Sequence, residues 1–383
     1  MTRKSFIPLS QVKLAPVTGS YGSSAVCTDV DDAAALNDRD NKTQPQTAKG
    51  QKVEYDHRVA TRAIESMTRA KKLGKNFFIA AGLRKPHLAW RVPHKFWAQY
   101  EGKTISLAKH MTIGENITVL AYEMNGEMSQ VYTKKKLSST AGSRSEDLHQ
   151  LFVDDDLNDV GGSTWRESPG GPPIPNDLQV ALKRGYYASV SFMDFEVGRM
   201  LDSLDSLGLA ADTAVLFHAD HGWKLGEHGD WSKCTNWELD ARVPLIIRAP
   251  WITPSAGTKT LALAELVDLY PTLVELSGLP AVPATEGIDG VSLVPALTSP
   301  QDEHAIAGKT AAYSQYPRCP EYDMKNESTK WECLEIAKNK IARMGYSVRT
   351  AAARYTEWRV WTPQCKADWS AKGLAAMELY DAT

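Results

Sequence analysis

Residues 213–233, TAVLFHADHGWKLGEHGDWSK, constrain the fold more tightly than any other stretch, because a run of β-type residues passes directly into a polar loop crowded with Asp, His, Gly and Lys. Residues 213–217 are short, largely apolar and β-rich, the pattern of a strand buried in an α/β sheet. Asp220 and His221 fall where that strand ends. Loops at the carboxyl ends of strands in open α/β sheets converge without giving up sheet pairing, and ligands bind there. Gly222, Gly226 and Gly229 permit tight turns and a close backbone approach to a ligand. Taken alone, the loop reads equally well as a binding site and as a glycine-rich surface turn with solvated charges.

The chain has 383 residues, 43% hydrophobic and 23% charged, a composition that excludes disorder and suits one large domain or one and a half. A net charge of −2 without a long single-sign tract gives no reason to expect a nucleic-acid partner, so an anionic substrate has to be met by local charge. No apolar run is long enough to span a membrane, so no membrane partner is expected, and the sequence as written shows no export signal at its start. Cys27, Cys234, Cys319, Cys333 and Cys365 are odd in number and lack metal-type C-x-x-C spacing; Cys319 and Cys333 could close a small loop. Sequons at Asn41, Asn116 and Asn326 lean toward the secretory pathway.

Along the chain, residues 1–55 read as loop with short extended pieces. Residues 58–73 place Val59, Ala63, Ile64, Met67, Ala70 and Leu73 at helical spacing, with Gly74 as the cap. Residues 76–83, NFFIAAGL, then read as a buried strand running into an ordered loop, RKPHLAWRVPHKFW, with His87 its most suggestive residue. The polar stretch from about 101 to 175, with a basic patch at residues 134–136, reads as a long excursion. Asn176 is read as the N-cap of a helix, with Gln179 completing a capping box and Gly208–Leu209 as a Schellman stop. One side of that helix carries Tyr187, Val190, Asp194, Val197, Leu201 and Leu204, and Asp194 is read as a structural carboxylate rather than a site residue. A strand at 243–249 and a helix over 270–276 capped by Asp268 follow. Beyond a Pro- and Gly-rich connection, 311–316 reads as a strand and 346–361 as two strands around a short turn. The expected architecture is α/β, with a central mixed, mainly parallel sheet carrying helices on both faces within 1–300, and a small α+β subdomain with an antiparallel sheet in 301–383.

Several stretches in one order carry a family resemblance: FFIAAGLRKPHLAWRVPHKFW, RGYYASVSFMDFEVGRMLDSLDSLGL, DHGWKLGEHGDWSK, RVPLIIRAP, LAELVDLYPTLVELSGL, YSQYPR, MGYSVRT and RYTEWRVW. Together they resemble the sulfatase family, and within it the iduronate 2-sulfatase branch. The resemblance implies a calcium-dependent sulfuric ester hydrolase of alkaline-phosphatase-like fold acting on sulfated saccharides, lysosomal or secreted when complete. It implies metal-site positions at Asp220 and His221, and sulfate-facing, catalytic positions at His87 and Lys233. The chemistry agrees: a carboxylate suits a hard cation better than imidazole does. A lysine holds a sulfuryl oxygen as a point charge, and a histidine donates to one or serves proton transfer to the leaving alcohol. Outside the family context, His87 would be a structural loop histidine and Lys233 a solvated charge.

The sequence departs from the family pattern in three respects, lacking the Asp-Asp pair after a first strand, the nucleophile motif, and the lysine and histidine that follow it. The family's formylglycine nucleophile arises from a cysteine in C-x-P-S-R, whereas Cys27 precedes Thr-Asp-Val and Cys319 precedes Pro-Glu-Tyr; Asp31–Asp32 follow no buried strand and are not assigned to the metal. The readings are an incomplete sulfatase, a degenerate paralogue that only binds glycans, or one half of a split enzyme. The first is favoured because the retained site positions show no decay. The rival enzyme is a phosphodiesterase or phosphonate hydrolase of the same superfamily. Three expectations follow: His87, Asp220, His221 and Lys233 share one cleft, Lys233→Ala harms turnover more than Lys224→Ala, and these residues alone neither hydrolyse sulfate esters nor bind calcium well.

Overall fold

The structure, a computed structural model, describes residues 55–90, 92–112, 114, 116–122, 174–319 and 337–381. Their described parts fall into two compact units, one of 55–104 and 182–213, the other of 105–122, 174–181 and 214–381.

The first unit opens with helix α1, Tyr55–Leu73, whose buried residues Asp56, Val59, Ala60, Ala63 and Met67 recur every three or four positions and define one inward face. It ends in a Schellman turn: Gly74 has φ +61°, its N–H donates to Lys71 O at 3.0 Å, and Lys75 N–H donates to Ala70 O at 2.9 Å. Residues 76–83 are not the buried strand expected from their composition. They run without ladder partners, and Phe78 is 57% exposed. The chain after them is fixed by Asp56, whose buried carboxylate accepts the N–H groups of Arg84 and Lys85 at 2.8 and 2.9 Å. Helix α2, His94–Trp97, follows, with Phe96 and Trp97 buried.

Helix α3, Asn176–Ser206, begins in residues of the second unit and continues in the first. Asn176 is already helical, so it is not the cap, and Gln179 Nε2 reaches back to Ile174 O at 2.8 Å instead of closing a capping box. The predicted C-terminal stop is present, with Gly208 N–H on Asp205 O and Leu209 N–H on Leu204 O, both at 2.9 Å. The inward face is rotated from the predicted stripe: Ala188, Phe192 and Glu196 are buried, while Asp194 and Leu201 are exposed. A charged core position hid that face from a hydrophobicity reading. Glu196 is tolerated there because it pairs with Arg199 and lies 2.9 Å from His57 Nδ1. Phe192 packs on Phe96, with ring centres 5.2 Å apart, and Tyr186 meets Trp90 edge-on at 5.8 Å.

In the second unit, strands β1, Val215–His218, and β4, Leu245–Arg248, pair antiparallel with Val215 opposite Arg248 and His218 opposite Leu245. Between them lie a two-residue hairpin, β2, Lys224–Leu225, with β3, Trp231–Ser232, and a short helix α4, Glu238–Ala241. A mainly parallel sheet is expected from the sequence, yet every ladder among the described residues is antiparallel. The physical reason for β1 and β4 is their connection: parallel pairing needs a crossover that returns the chain to the same end, and this connection turns back through a hairpin and one helical turn. Leu216, Leu245 and Ile247 pack on a core of Leu269, from helix α5, Leu269–Leu276, Ala296, from helix α6, Val294–Thr298, and Leu293 and Ile306 on either side of α6. Asp268 stands at the N-cap position of α5, as expected, but its side chain makes no capping bond there; it also ends a 3-10 turn and is wholly buried, with Val291 N–H on Oδ1 at 2.9 Å and Lys309 Nζ and Glu265 N–H on Oδ2 at 2.6 and 2.7 Å.

Strands β5, Ala312–Arg318, β6, Arg343–Arg349, β7, Ala353–Val360, and β8, Leu374–Asp381, form an antiparallel meander in sequence order. Alternation along it turns Gly345, Ser347, Thr356 and Trp358 inward. Trp358 is wholly buried and donates to Glu378 Oε1 at 3.0 Å. Cys319 is disulfide-bonded, whereas Cys234 and Cys365 are not; Cys27 and Cys333 lie outside the described residues, as do the sequons at Asn41 and Asn326 and Asp31–Asp32. Among the described residues, no helix is long and apolar enough to cross a membrane.

Candidate functional site

Strand β1 stops at His218, two residues before Asp220. The Asp220 carboxylate is 85% exposed, and Oδ1 accepts the N–H of His221 at 3.0 Å. His221 Nδ1 donates to Gly222 O at 2.8 Å, and Nε2 lies 3.6 Å from Asp220 Oδ2. Gly222 then passes against helix α4: its N–H donates to Asp240 O at 2.7 Å, and a Cβ there would lie 1.9 Å from Leu239 O. Only glycine fits that approach.

The β2–β3 hairpin carries the loop out and back. Pairing of Lys224 with Ser232 places Trp223 beside Lys233, and Lys233 Nζ lies 5.6 Å from the Trp223 ring centre. Lys233 is only 8% exposed. Its neighbours Ser232 and Cys234 have φ of +89° and +73°, values that cost energy in residues other than glycine and persist only where the surroundings impose them.

Lys224 is not a solvated loop lysine. It is wholly buried, bonded to Asp240 Oδ2 and 3.7 Å from Asp230 Oδ2, with its ammonium 5.7 Å from the Trp237 ring centre. Asp240 Oδ2 also accepts Thr235 N–H at 2.9 Å and the Thr235 hydroxyl. Asp240 thus ties both arms of the loop: its backbone holds Gly222, next to His221, and its carboxylate holds Thr235, two residues past Lys233. Sequence reasoning misses this role, because Asp240 lies in the plain segment NWELDARV with no spacing to mark it.

The C-terminal meander supplies a second set of tethers. Arg318, buried, donates to Leu120 O at 2.9 Å, Tyr122 O at 2.8 Å and Cys234 O at 3.3 Å. Asn236 Nδ2 donates to Gly345 O at 3.2 Å and Trp237 Nε1 to Tyr380 Oη at 3.0 Å. Glu238 Oε2 accepts from Arg349 Nε at 3.1 Å and from Arg354 Nε at 3.0 Å. Burial pushes the Glu238 carboxyl up, but the hydrogen bonds and charges of Arg354 and Arg349 outweigh it and hold the group below its ordinary range. Burial raises Glu378 and lowers His228, with the nearby His110 charge adding to the second shift.

His87 lies in the first unit, within the tethered segment after Arg84; its N–H donates to Arg84 O at 2.9 Å and its Nδ1 lies 2.8 Å from Leu88 O. The second unit brings Asp220, His221 and Lys233 into one loop system. Among the described residues no three His, Cys, Asp or Glu side chains are grouped for a metal ion. Asp220 and His221 offer one carboxylate and one imidazole, whereas calcium takes about six to eight oxygen ligands, so the described residues do not by themselves fit that ion.

Structural comparison defines the class first. The chain shares its α/β fold with a protein solved in complex with its substrate, D-glucosamine-2-N,6-O-disulfate (TM-score 0.58, 21% identity, 86% of this chain and 63% of the other). It shares it also with a phosphonate monoester hydrolase from Silicibacter pomeroyi (TM-score 0.56, 20% identity, 88% and 58%). The Sulfatase family profile matches residues 18–279, and the chain belongs to that family. Among its relatives are the iduronate 2-sulfatases of Mus musculus, 32% identical over 79% of this chain and 55% of the relative, and of Homo sapiens, 30% identical over 80% and 56%. The chain spans about half the length of these curated relatives.

Proposed function

We propose that this chain is part of a sulfuric ester hydrolase that removes sulfate from sulfated glycosaminoglycans or related polysaccharides, in a lysosomal or secreted setting. The observation that carries the reading is the double tether of Asp240, which holds Gly222, next to His221, and Thr235, two residues past Lys233, on one short helix. In this reading Lys233 holds a sulfuryl oxygen: its charge is largely withdrawn from water and fixed by a hairpin, so it is worth more to an anion than a solvated lysine. His87, in the first unit, is read as sulfate-facing and as the proton donor to the leaving alcohol. Asp220 and His221 contribute to a calcium site. The described residues furnish neither a full calcium shell nor a formylglycine, so the chemistry assigned to this chain is to hold the sulfate and move a proton. A central mixed, mainly parallel sheet within 1–300 belongs to the same reading, and four consecutive antiparallel strands after residue 311 support 301–383 as a smaller subdomain.

Sulfate release from a 2-O-sulfated uronate disaccharide tests this, using the purified chain with and without a co-expressed polypeptide carrying Asp-Asp and C-x-P-S-R. Release is expected only from the pair, and with preference over a phosphonate monoester. Preferred phosphonate cleavage would favour the rival hydrolase, glycan affinity without turnover a binding paralogue. Turnover by the 383 residues alone would demand an unrecognised nucleophile.

A further inference from the structure

Lys233 stands between two non-glycine residues in the left-handed region, Ser232 and Cys234. Neither residue is Gly, Asn or Asp, the types that adopt that conformation at low cost, so contacts with the surrounding fold hold it. The Thr235–Asp240 bonds fix the residue after Cys234, and the Cys234 carbonyl itself is held by Arg318, 84 positions away. Arg318 is built for this. Its guanidinium is buried, lies 5.0 Å from the Trp358 ring centre and 4.9 Å from that of Tyr316, and spreads its donors over the carbonyls of Leu120, Tyr122 and Cys234. A planar fork that bonds three carbonyls cannot re-aim one donor without losing the others. Tyr122 in turn packs edge-on against Trp237, ring centres 4.9 Å apart, so the carbonyls that Arg318 gathers lie on two segments that already touch.

We propose that Arg318 is a positioning residue for Lys233: from the C-terminal sheet it holds the strained Ser232–Cys234 turn that keeps the Lys233 ammonium over Trp223. The importance of this for sulfate rests on the function proposed above; the positioning itself does not. The full chain offers a direct reporter. Reductive methylation with carbon-13 keeps the lysine charge, and the methyl signals of Lys233, identified by their loss in Lys233→Arg, carry an upfield ring-current shift from Trp223. Arg318→Met is expected to remove at least half of that shift while urea unfolding still shows a cooperative fold. Should Arg318→Met not fold, Arg318→Lys makes the same test, since it keeps a charge in the pocket and loses the fork. Arg359→Met, which removes from the same sheet a guanidinium that donates to Glu357 and Ser370 O and not to Cys234 O, is expected to leave the shift in place. An unchanged Lys233 shift in a folded Arg318 variant overturns the proposal, as does an equal loss in Arg359→Met. Titration of the unsubstituted chain with inorganic sulfate separates the two readings. A Lys233 signal that depends on Arg318 but ignores sulfate keeps the positioning and removes the sulfate role; one that moves with sulfate but ignores Arg318 does the reverse.

Discussion

The two segments that carry the proposed sulfate-facing residues are held in opposite ways. The segment of His87 is fixed mostly by near neighbours: His87 bonds to Arg84 and Leu88, Trp90 Nε1 donates to Pro86 O at 2.8 Å, and Asp56, 28 residues back, anchors its start. The loop of Lys233 is fixed by buried charge within itself and by partners from 84 to 143 positions away in the C-terminal sheet, Arg318 and Tyr380 being the extremes from Cys234 and Trp237. Local tethers set a conformation cheaply, because little chain entropy is lost in closing a short loop. Distant ones cost more to form but can impose backbone angles that no local sequence favours.

The sharpest way to break this contrast is to exchange the two loop lysines. Lys224→Ala leaves Asp240 and Asp230 buried without their cation and is expected to cost about 3–5 kcal/mol in urea unfolding. Lys233→Ala, assayed in an enzyme completed with its nucleophile, is expected to spare stability and lower turnover by about 3 kcal/mol, on the order of a hundredfold. The sequence supports ranking Lys233 above Lys224 for turnover, but it does not reveal that Lys224→Ala damages the fold, so stability has to be measured beside rate. Equal stability losses in the two variants would show that the hairpin does not separate the roles.

On the other side of the comparison, Asp56→Ala removes the acceptor of two backbone N–H groups and is expected to cost about 2 kcal/mol. Hydrogen exchange should quicken at Arg84 and Lys85 while the Lys233 loop keeps its protection. Acceleration in both places would mean that the two segments are not independently held.

The smallest effect is expected at Glu238, whose side chain is 36% exposed. Its folded pKa is depressed, so the stability it contributes is complete above the unfolded carboxylate value and is lost as pH falls through the folded one. Glu238→Gln is therefore expected to cost about 1 kcal/mol at neutral pH, after allowance for solvent screening, and to flatten the acid limb of the stability curve. An unaltered acid limb would remove the Arg349–Arg354 clamp from the account.

The sequence by itself determined much of this protein. Helical spacing over 58–73 with its Gly74 stop, the Gly208–Leu209 turn, the paired strands of the C-terminal meander and the strand-to-loop passage at Asp220 were all legible, because each is set by periodicity or by turn residues within a few positions. The ordered order of motifs also gave the family, and with it the candidates His87, Asp220, His221 and Lys233. Contacts across the chain settle the remainder. Residues 76–83 have strand composition, yet among the described residues no strand pairs with them, and the buried face of α3 runs through Glu196 because His57 and Arg199 are there to receive it. Nothing in the sequence marks Lys224, Asp240 and Arg318 as buried, since a charged residue is buried only when a partner, often far along the chain, offsets its loss of water, and no local pattern records that partner.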